Sequence, residues 1–134
     1  MRTAVILMNV LGIVVTVAGC ATPDTISSSP SRPALINHVV FVSLNDPLEA
    51  EALIADSDAR LRAIPLVISY YAGKHVDTGR TNVLNDYDVG IFVGFDSLED
   101  YSEYVNHPNH VGLVNDWRPR IKALIVRDVL DPTE

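Results

Sequence analysis

Runs of β-branched and other apolar residues predict four strands in this chain. In the third run, apolar side chains alternate with small or polar ones, as in a strand that buries one face. Phe92, between Gly90 and Gly94, points to the other face of that strand. The four predicted strands are Ile36–Leu44, Val67–Val76, Tyr87–Phe95 and Ile121–Val129.

A helix is predicted between the first and second strands. Asp46 can cap it, Pro47 suits its first turn, and Glu49 lies three residues after the cap, which is the spacing of a capping box. Pro65 ends the segment, because proline interrupts helical hydrogen bonding. Apolar residues recur within it at helical spacing at Leu53, Ile54, Leu61 and Ile64.

A second helical segment lies between the third and fourth strands and is broken before Pro108. Asp96 and Glu99 form a second predicted capping box at its start. Pro108 then suits the first turn of a third helix, which continues to about Trp117. The predicted order of elements is therefore β-α-β-β-α-(α)-β.

That order predicts an α+β domain of the ferredoxin-like split type, in which helices cover one face of a four-stranded antiparallel sheet. The other face still holds apolar side chains, either Val40, Val42 and Phe92 or their opposite neighbours. Because a monomer rarely exposes a large apolar patch, a second copy of the chain is the simplest cover. We therefore expect a homodimer.

Residues 1–19 are typical of a cleaved export signal. Arg2 gives one positive charge, and the apolar run that follows is shorter than the ~18–20 residues of a membrane-spanning helix. The run closes with Val17-Ala18-Gly19-Cys20, which resembles the lipobox of bacterial lipoprotein signals. This resemblance implies that Cys20 is acylated and begins the mature protein. An ordinary signal peptide with an incidental cysteine is the alternative.

Acylation also accounts for the cysteine count, since Cys20 is the only cysteine and no internal disulfide can form. Residues 20–34 are rich in proline and serine and too poor in apolar residues to fold, which predicts a flexible linker. Residues 131–134 form a short polar tail. We expect the protein on the exported side of a bacterial membrane, held there by lipid, and on the outer membrane facing the periplasm if the cell is Gram-negative.

One folded domain, residues 35–130, remains between the linker and the tail. The formal net charge of the chain is −7, and its Lys and Arg residues form no cluster. Nucleic acid, which is bound through a basic surface, is therefore not an expected partner. For the same reason, we expect contact with the membrane through the lipid anchor only.

His107 and His110 flank Pro108 at the break between the second and third helices. Imidazoles at such a junction can titrate near neutral pH and carry protons. A structural role, with one imidazole capping a carbonyl and the other packed in a groove, is the alternative. As zinc ligands the two would need a further partner such as Asp116, and we predict no metal site.

Three separated pieces of the sequence resemble the stress-responsive A/B barrel domain family, also called the Dabb or dimeric α/β barrel domain. The pieces are Ile36–Leu44 with His38 near its start, Ile64-Pro65 with the strand that ends at Gly73-Lys74, and the segment from Tyr104 to Pro119. The resemblance covers residues 35–130. It implies the ferredoxin-like fold and assembly into a dimeric α/β barrel.

In cyclase members of this family, a histidine that matches His110 acts as acid and base. A tyrosine that matches Tyr104 and a histidine that matches His38 assist it. The cyclases also carry a tyrosine on the first helix, where this chain departs from the pattern and has Ser57. The resemblance implies no cofactor, and none is expected.

His107 and Trp117 are weaker candidates for contact with a ligand, and packing is the alternative for Trp117. Two functions remain. The first is a small-molecule-binding or stress-related module at the cell envelope, with a small hydrophobic ligand. The second is a cofactor-free enzyme of the polyketide-cyclase or monooxygenase type, with lyase chemistry in the cyclase case and a His/Tyr acid–base site. The binding module is our primary hypothesis.

Replacing Cys20 with alanine tests the predicted anchor. We expect Cys20→Ala to leave the membrane fraction and to take up no labelled fatty acid, because the chain has no other cysteine. Cell fractionation and metabolic labelling measure the two effects. Ser27→Ala, in the same linker, is the matched control and should behave as the wild type. Equal fractionation of Cys20→Ala and the wild type would contradict the lipoprotein hypothesis.

Overall fold

The computed structural model describes residues 32–132. The predicted signal peptide, Cys20, most of the linker and the last two residues of the tail lie outside this range. Four strands and three α-helices follow one another in the predicted order, and none of the helices in residues 32–132 is long and apolar enough to cross a bilayer. The elements are β1 (Ile36–Leu44), a 3₁₀ turn (Pro47–Glu49), α1 (Ala50–Leu61), β2 (Ser69–Lys74), β3 (Val89–Phe95), α2 (Leu98–Asn106), α3 (Pro108–Trp117), a 3₁₀ turn (Arg118–Arg120) and β4 (Ile121–Leu130).

The strands form one antiparallel sheet in the spatial order β2-β3-β1-β4. β1 is therefore an inner strand. It pairs with β3, where Val39 lies opposite Phe92, and with β4, where His38 lies opposite Asp128. The helices pack on one face of this sheet. The arrangement is the ferredoxin-like split fold and confirms the predicted α+β class.

Side-chain caps explain where the helical segments begin. The Asp46 carboxylate accepts a hydrogen bond from the Leu48 N–H at 3.0 Å, but the turn that it caps is 3₁₀, and α1 starts only after that turn. The predicted cap of α2 at Asp96 is wrong by one residue. Ser97 Oγ accepts from the Asp100 N–H at 3.0 Å and donates to the Asp100 carboxylate at 2.8 Å. A hydroxyl can do both, whereas an ionised carboxylate only accepts.

Two strands are shorter than predicted. β3 begins at Val89 rather than Tyr87, and the Asp88 carboxylate accepts from the Leu44 N–H at 2.7 Å just before it. A side chain thus takes the place of a backbone acceptor at this end of the sheet. β2 is an edge strand that pairs only with β3, and its ladder is confined to Ser69–Lys74.

The core lies between the sheet and the helical layer. On β1 and β3, most of the side chains that face the helices are buried, and Val42 is only 2% exposed, whereas Val40 is partly buried. On β4, the side chains of the same face stay open. Leu124, which lies opposite Val42 in the register, is 53% exposed. The helical layer is therefore narrower than the sheet, and β4 projects beyond it.

The other surface of the sheet, here called the far face, is apolar and is not covered by any element within residues 32–132. Tyr71 stacks on Phe92 there with ring centroids 4.3 Å apart, and Tyr71 is 58% exposed. Of the two predicted sets for this face, the one with Val40 and Val42 is wrong, because both valines point to the helices. The far face contains Phe92 together with the residues next to these valines, Val39 and Phe41. Its apolar members are Val39, Phe41, Tyr71, Phe92, Ile125 and Val129.

Candidate functional site

The open strip of β4 forms one wall of a cavity of about 600 Å³. β1 lies at its base, and α2 and α3 form the opposite wall. Most of the lining is apolar, with Val40, Leu113 and Val126 as examples. Cavities that hold small molecules are commonly about 300–1,000 Å³ in volume, and this one lies within that range.

Four polar side chains gather at one end of the cavity. His38 comes from β1, Tyr101 and Tyr104 come from successive turns of α2, and His110 comes from the first turn of α3. The ring centroids of Tyr104 and His110 are 4.6 Å apart, and those of His38 and Tyr104 are 6.1 Å apart. The structure thus brings together the three residues that the sequence predicts as an acid–base site.

Asp128 completes this end of the cavity from behind. Its carboxylate accepts from His38 Nδ1 at 2.6 Å and from the Tyr101 hydroxyl at 3.2 Å. Because a carboxylate only accepts, Nδ1 of His38 carries a proton, and its Nε2 has no hydrogen-bond partner within residues 32–132. Sequence analysis missed Asp128. The available signal was an acidic residue in a largely apolar last strand, but only the strand register places it opposite His38.

His110 is held in one tautomer. Its Nδ1 lies 2.9 Å from the carbonyl oxygen of Val105, which can only accept, so Nδ1 donates and Nε2 is left bare. Burial is the main cause that lowers the pKa of His110 below its ordinary value of 6.5. The bond to Val105 opposes this shift, and the nearby His38 adds to it. His110 is therefore a neutral base at pH 7.

Tyr104 presents a proton donor beside that base. Burial is the main cause that raises its pKa, and Tyr101 contributes further, so the hydroxyl keeps its proton. The residue is 1% exposed, and its ring packs against Phe95 with centroids 4.8 Å apart. Within residues 32–132 the Tyr104 hydroxyl has no hydrogen-bond partner. It is therefore free to donate to an acceptor on a molecule in the cavity.

His107 does not line this cavity. It is the N-cap of α3, where its Nδ1 accepts from the Asn109 N–H at 3.2 Å, and its extended backbone separates α2 from α3. The structural alternative thus describes His107 better than the predicted ligand contact. Within residues 32–132, no group of three or more His, Cys, Asp or Glu side chains is placed to hold a metal ion.

Trp117 forms part of the cavity wall, but its polar atom is engaged elsewhere. The indole N–H donates to Asp56 at 2.8 Å, and the guanidinium of Arg120 lies 3.8 Å from the centre of the indole ring. Arg60 holds the second oxygen of Asp56 at 2.7 Å. The packing interpretation of Trp117 therefore accounts for its contacts, and only its apolar surface is left for a ligand.

Ser57 is fully buried on α1, and its hydroxyl lacks a hydrogen-bond partner within residues 32–132. It lies between Leu53 and Leu61, which both line the cavity. The departure from the cyclase pattern at this position therefore leaves the cavity in place. On the inner surface of α1, it replaces the large hydroxylated ring of a tyrosine with the small side chain of serine.

The fold agrees with a comparison of protein families. The model of the stress responsive A/B barrel domain, Dabb, matches residues 36–131 of this chain. The chain belongs to this family. No sequence among the curated proteins matches the chain.

Solved structures show the same fold for the Dabb domain. A Dabb family protein with a ferredoxin-like fold from Mesorhizobium loti is 25% identical over 73% of this chain and 97% of its own length, with a TM-score of 0.62. A protein from Arabidopsis thaliana is 26% identical over 74% of this chain and 96% of its own, also with a TM-score of 0.62. A dimeric ferredoxin-like protein of unknown function from Thermobifida fusca is 20% identical over 72% of this chain and 90% of its own length, with a TM-score of 0.61.

The lowered pKa of His110 makes the stability of the Dabb domain depend on pH. Between that pKa and 6.5, the unfolded chain binds a proton at this residue more readily than the folded domain does. We therefore expect the free energy of unfolding to fall as the pH drops through this window, and His110→Gln to remove that part of the fall. Urea unfolding at several pH values measures it, and NMR titration of the His110 ring measures the pKa directly.

His107→Gln is the control, because it removes an imidazole that caps α3 outside the cavity. This variant should keep the pH dependence that belongs to His110. A His110 titration midpoint at or above 6.5 would contradict the proposed cause, which is burial against the cavity wall.

Proposed function

We propose that this protein is a lipid-anchored Dabb module that binds a small, largely apolar molecule at the cell envelope. The cavity carries the proposal, because it offers about 600 Å³ of mostly apolar space with four polar side chains at one end. Ligand sites typically combine apolar walls with a few placed polar groups. If the four polar side chains had only a structural role, the cavity beside them would serve no purpose, because unfilled space in a protein lowers its stability.

The proposed anchor rests on the sequence. Acylated Cys20 would hold the protein on the membrane, and the 13 residues from Ala21 to Pro33 would act as a tether with a reach of roughly 20 Å. The cavity would then lie close to a bilayer, in which apolar molecules dissolve. In a Gram-negative cell we propose the outer membrane, with the domain in the periplasm. Capture of such molecules under stress would be its physiological role.

Filling the cavity should abolish binding. Val114 of α3 lines it, and Val114→Phe would place a ring in the space that a ligand needs. With decan-2-one as the probe, we expect affinity to fall roughly tenfold or more, which corresponds to about 1.4 kcal/mol. The fluorescence of Trp117, the only tryptophan in the chain and part of the cavity wall, measures binding.

Val111→Phe is the matched control, because Val111 lies on the exposed side of the same helix and does not line the cavity. It should bind decan-2-one as the wild type does. Equal affinities for the wild type, Val111→Phe and Val114→Phe would show that the probe binds elsewhere and would contradict the proposal.

A cofactor-free acid–base enzyme is the second candidate, and the pairing of Tyr104 with His110 favours it. The Tyr104 hydroxyl would donate to a carbonyl oxygen of the substrate. Nε2 of His110 would take a proton from the adjacent carbon, and the electron pair of the broken C–H bond would move to the enolate oxygen. His38, fixed by Asp128, would hold the substrate in place. Cyclase and cofactor-free monooxygenase reactions can both begin with this step.

Hydrogen exchange in D₂O tests that step. We expect the wild type to accelerate exchange of the hydrogens next to the carbonyl of decan-2-one, and His110→Gln to lose about 10²–10⁴-fold of the acceleration. NMR measures the rate. His107→Gln should exchange as fast as the wild type. If His110→Gln and the wild type exchange at equal rates, the acid–base candidate fails and the binding proposal is unaffected.

We also propose that two copies pair through the far face. Phe41, Phe92 and Ile125 contribute apolar surface there, and β4 adds an edge of ten residues whose second side pairs with no strand in residues 32–132. A monomer would expose both, which favours association. The dimer would join two sheets, each with its helices and its cavity on the outside.

A charge on the far face should prevent pairing. We expect the fragment from Arg32 onwards to have twice the chain mass by light scattering at micromolar concentration. Phe92→Glu should be monomeric, because pairing would bury an unpaired carboxylate. Leu48→Glu is the control, since Leu48 is 89% exposed on the turn before α1 and lies away from the sheet. A folded wild-type monomer would contradict the proposed dimer.

A further inference from the structure

The end of the cavity away from His38 and His110 is cationic. Arg118 follows α3, Lys122 lies near the start of β4, and both exposed side chains line the cavity. Neither forms an ion pair with another residue in the range 32–132. The lining contains no carboxylate, although the chain has 17 acidic and only 10 basic residues. The cavity thus reverses the charge of the protein locally.

An irregularity in the sheet places Lys122 at this end. β1 and β4 pair regularly from Ile36 to Ser43, and the register then shifts, so that Ser43 lies opposite Ala123 and Leu44 lies opposite Ile121. Lys122 is the extra residue between these pairs. Such bulges redirect a side chain and are frequent beside functional sites.

An apolar stretch separates the cationic end from the polar cluster. Along α3, His110 and Arg118 are eight residues apart, or about 12 Å at the helical rise. Along β4, Lys122 and Asp128 are six residues apart, or about 20 Å. The walls between the two ends include Val42, Leu113, Val114, Leu124 and Val126. A molecule that contacts both ends must therefore be elongated and apolar in the middle.

We infer that the ligand is a linear oxo-carboxylic acid, with its carboxylate at Arg118 and Lys122 and its carbonyl at Tyr104 and His110. This inference deepens the proposed function and rests on it. The carboxylate matches the two cations, and the carbonyl accepts from the Tyr104 hydroxyl. A neutral ketone would leave the cations without a partner. A plain fatty acid would leave the Tyr104 hydroxyl without one.

The two ends contribute differently to binding. Arg118 and Lys122 are exposed, so their ion pairs with a carboxylate add only a few-fold in affinity and weaken as salt is added. The apolar chain supplies most of the affinity by leaving water. The cations therefore act mainly on orientation: they determine which end of the molecule enters first and keep the carbonyl beside His110.

Two probes that differ at one end test the inference. 9-Oxodecanoate and decan-2-one share a methyl ketone and a ten-carbon chain, and only the group at the far end changes from carboxylate to methyl. Binding to the full-length protein at low ionic strength is followed through Trp117 fluorescence. We expect the oxo-acid to bind about fivefold more tightly than the ketone. The double variant Arg118→Gln/Lys122→Gln should lose this preference.

Arg62→Gln/Arg80→Gln is the matched control, because it removes the same charge from two exposed residues outside the cavity lining. It should keep the preference for the oxo-acid. If both probes bind equally to the wild type, or if the control loses the preference as fully as the double variant does, the inference is overturned and the binding proposal remains. If neither probe binds, both the inference and the binding proposal are overturned.

Discussion

The pairing of β1 with both β3 and β4 holds this domain together, but the helices cover the sheet only as far as β1. On β3 and β1 the helix-facing side chains are buried in a shared core. On β4 the helices cover less of the sheet, so Leu124 and Val126 remain exposed. The cavity is the space that this difference in width leaves. Its position follows from the packing of two layers of unequal extent, and the candidate site residues line it.

The polar side chains at one end of the cavity differ in whether they have hydrogen-bond partners. His38 is buried on an apolar strand, and its contact with Asp128 compensates for the loss of water around the ring. His110 is similarly compensated by the carbonyl of Val105. The Tyr104 hydroxyl has no such partner within residues 32–132 but belongs to a residue that lines the cavity, whereas the Ser57 hydroxyl is buried without a partner in the same range, which typically costs about 1–3 kcal/mol.

Residue periodicity was sufficient to predict the order of the elements, because each strand and helix carries its own apolar pattern. It also placed Tyr104, Pro108 and His110 correctly at a helix junction, since proline marks that break locally. Details that depend on contacts between distant segments were not predictable. The choice of Ser97 over Asp96 as a cap depends on which side chain can both donate and accept, and the end of β3 depends on the Asp88 side chain.

The candidate site shows the same difference between features that local sequence predicts and features that depend on contacts between distant segments. Tyr104, His110 and His38 were selected as candidates through a resemblance in motifs, but Asp128 and Lys122 lie in a strand without a motif, and Arg118 was matched only as part of the segment that precedes that strand. Asp128 acquires its role because β4 lies beside β1 in one register, a relation between residues that are 90 positions apart. Likewise, the sequence could not show that Phe92 shares a face of the sheet with Val39 and not with Val40. Only the pairing of β1 with β3 shows this.

The alternation of β4 has a consequence for how this strand can change during evolution. Asp128 lies on the helix-facing side of β4, and its neighbours Arg127 and Val129 lie on the far face, as the two-residue period requires. Deleting one residue between Lys122 and Asp128 would exchange these sides, bring Arg127 or Val129 opposite His38, and expose the cavity residues on the far face. Because the bulge at Lys122 already absorbs one unpaired residue, length variation is tolerated at that end only. We therefore expect substitutions, but no single-residue insertions or deletions, along the stretch of β4 that follows.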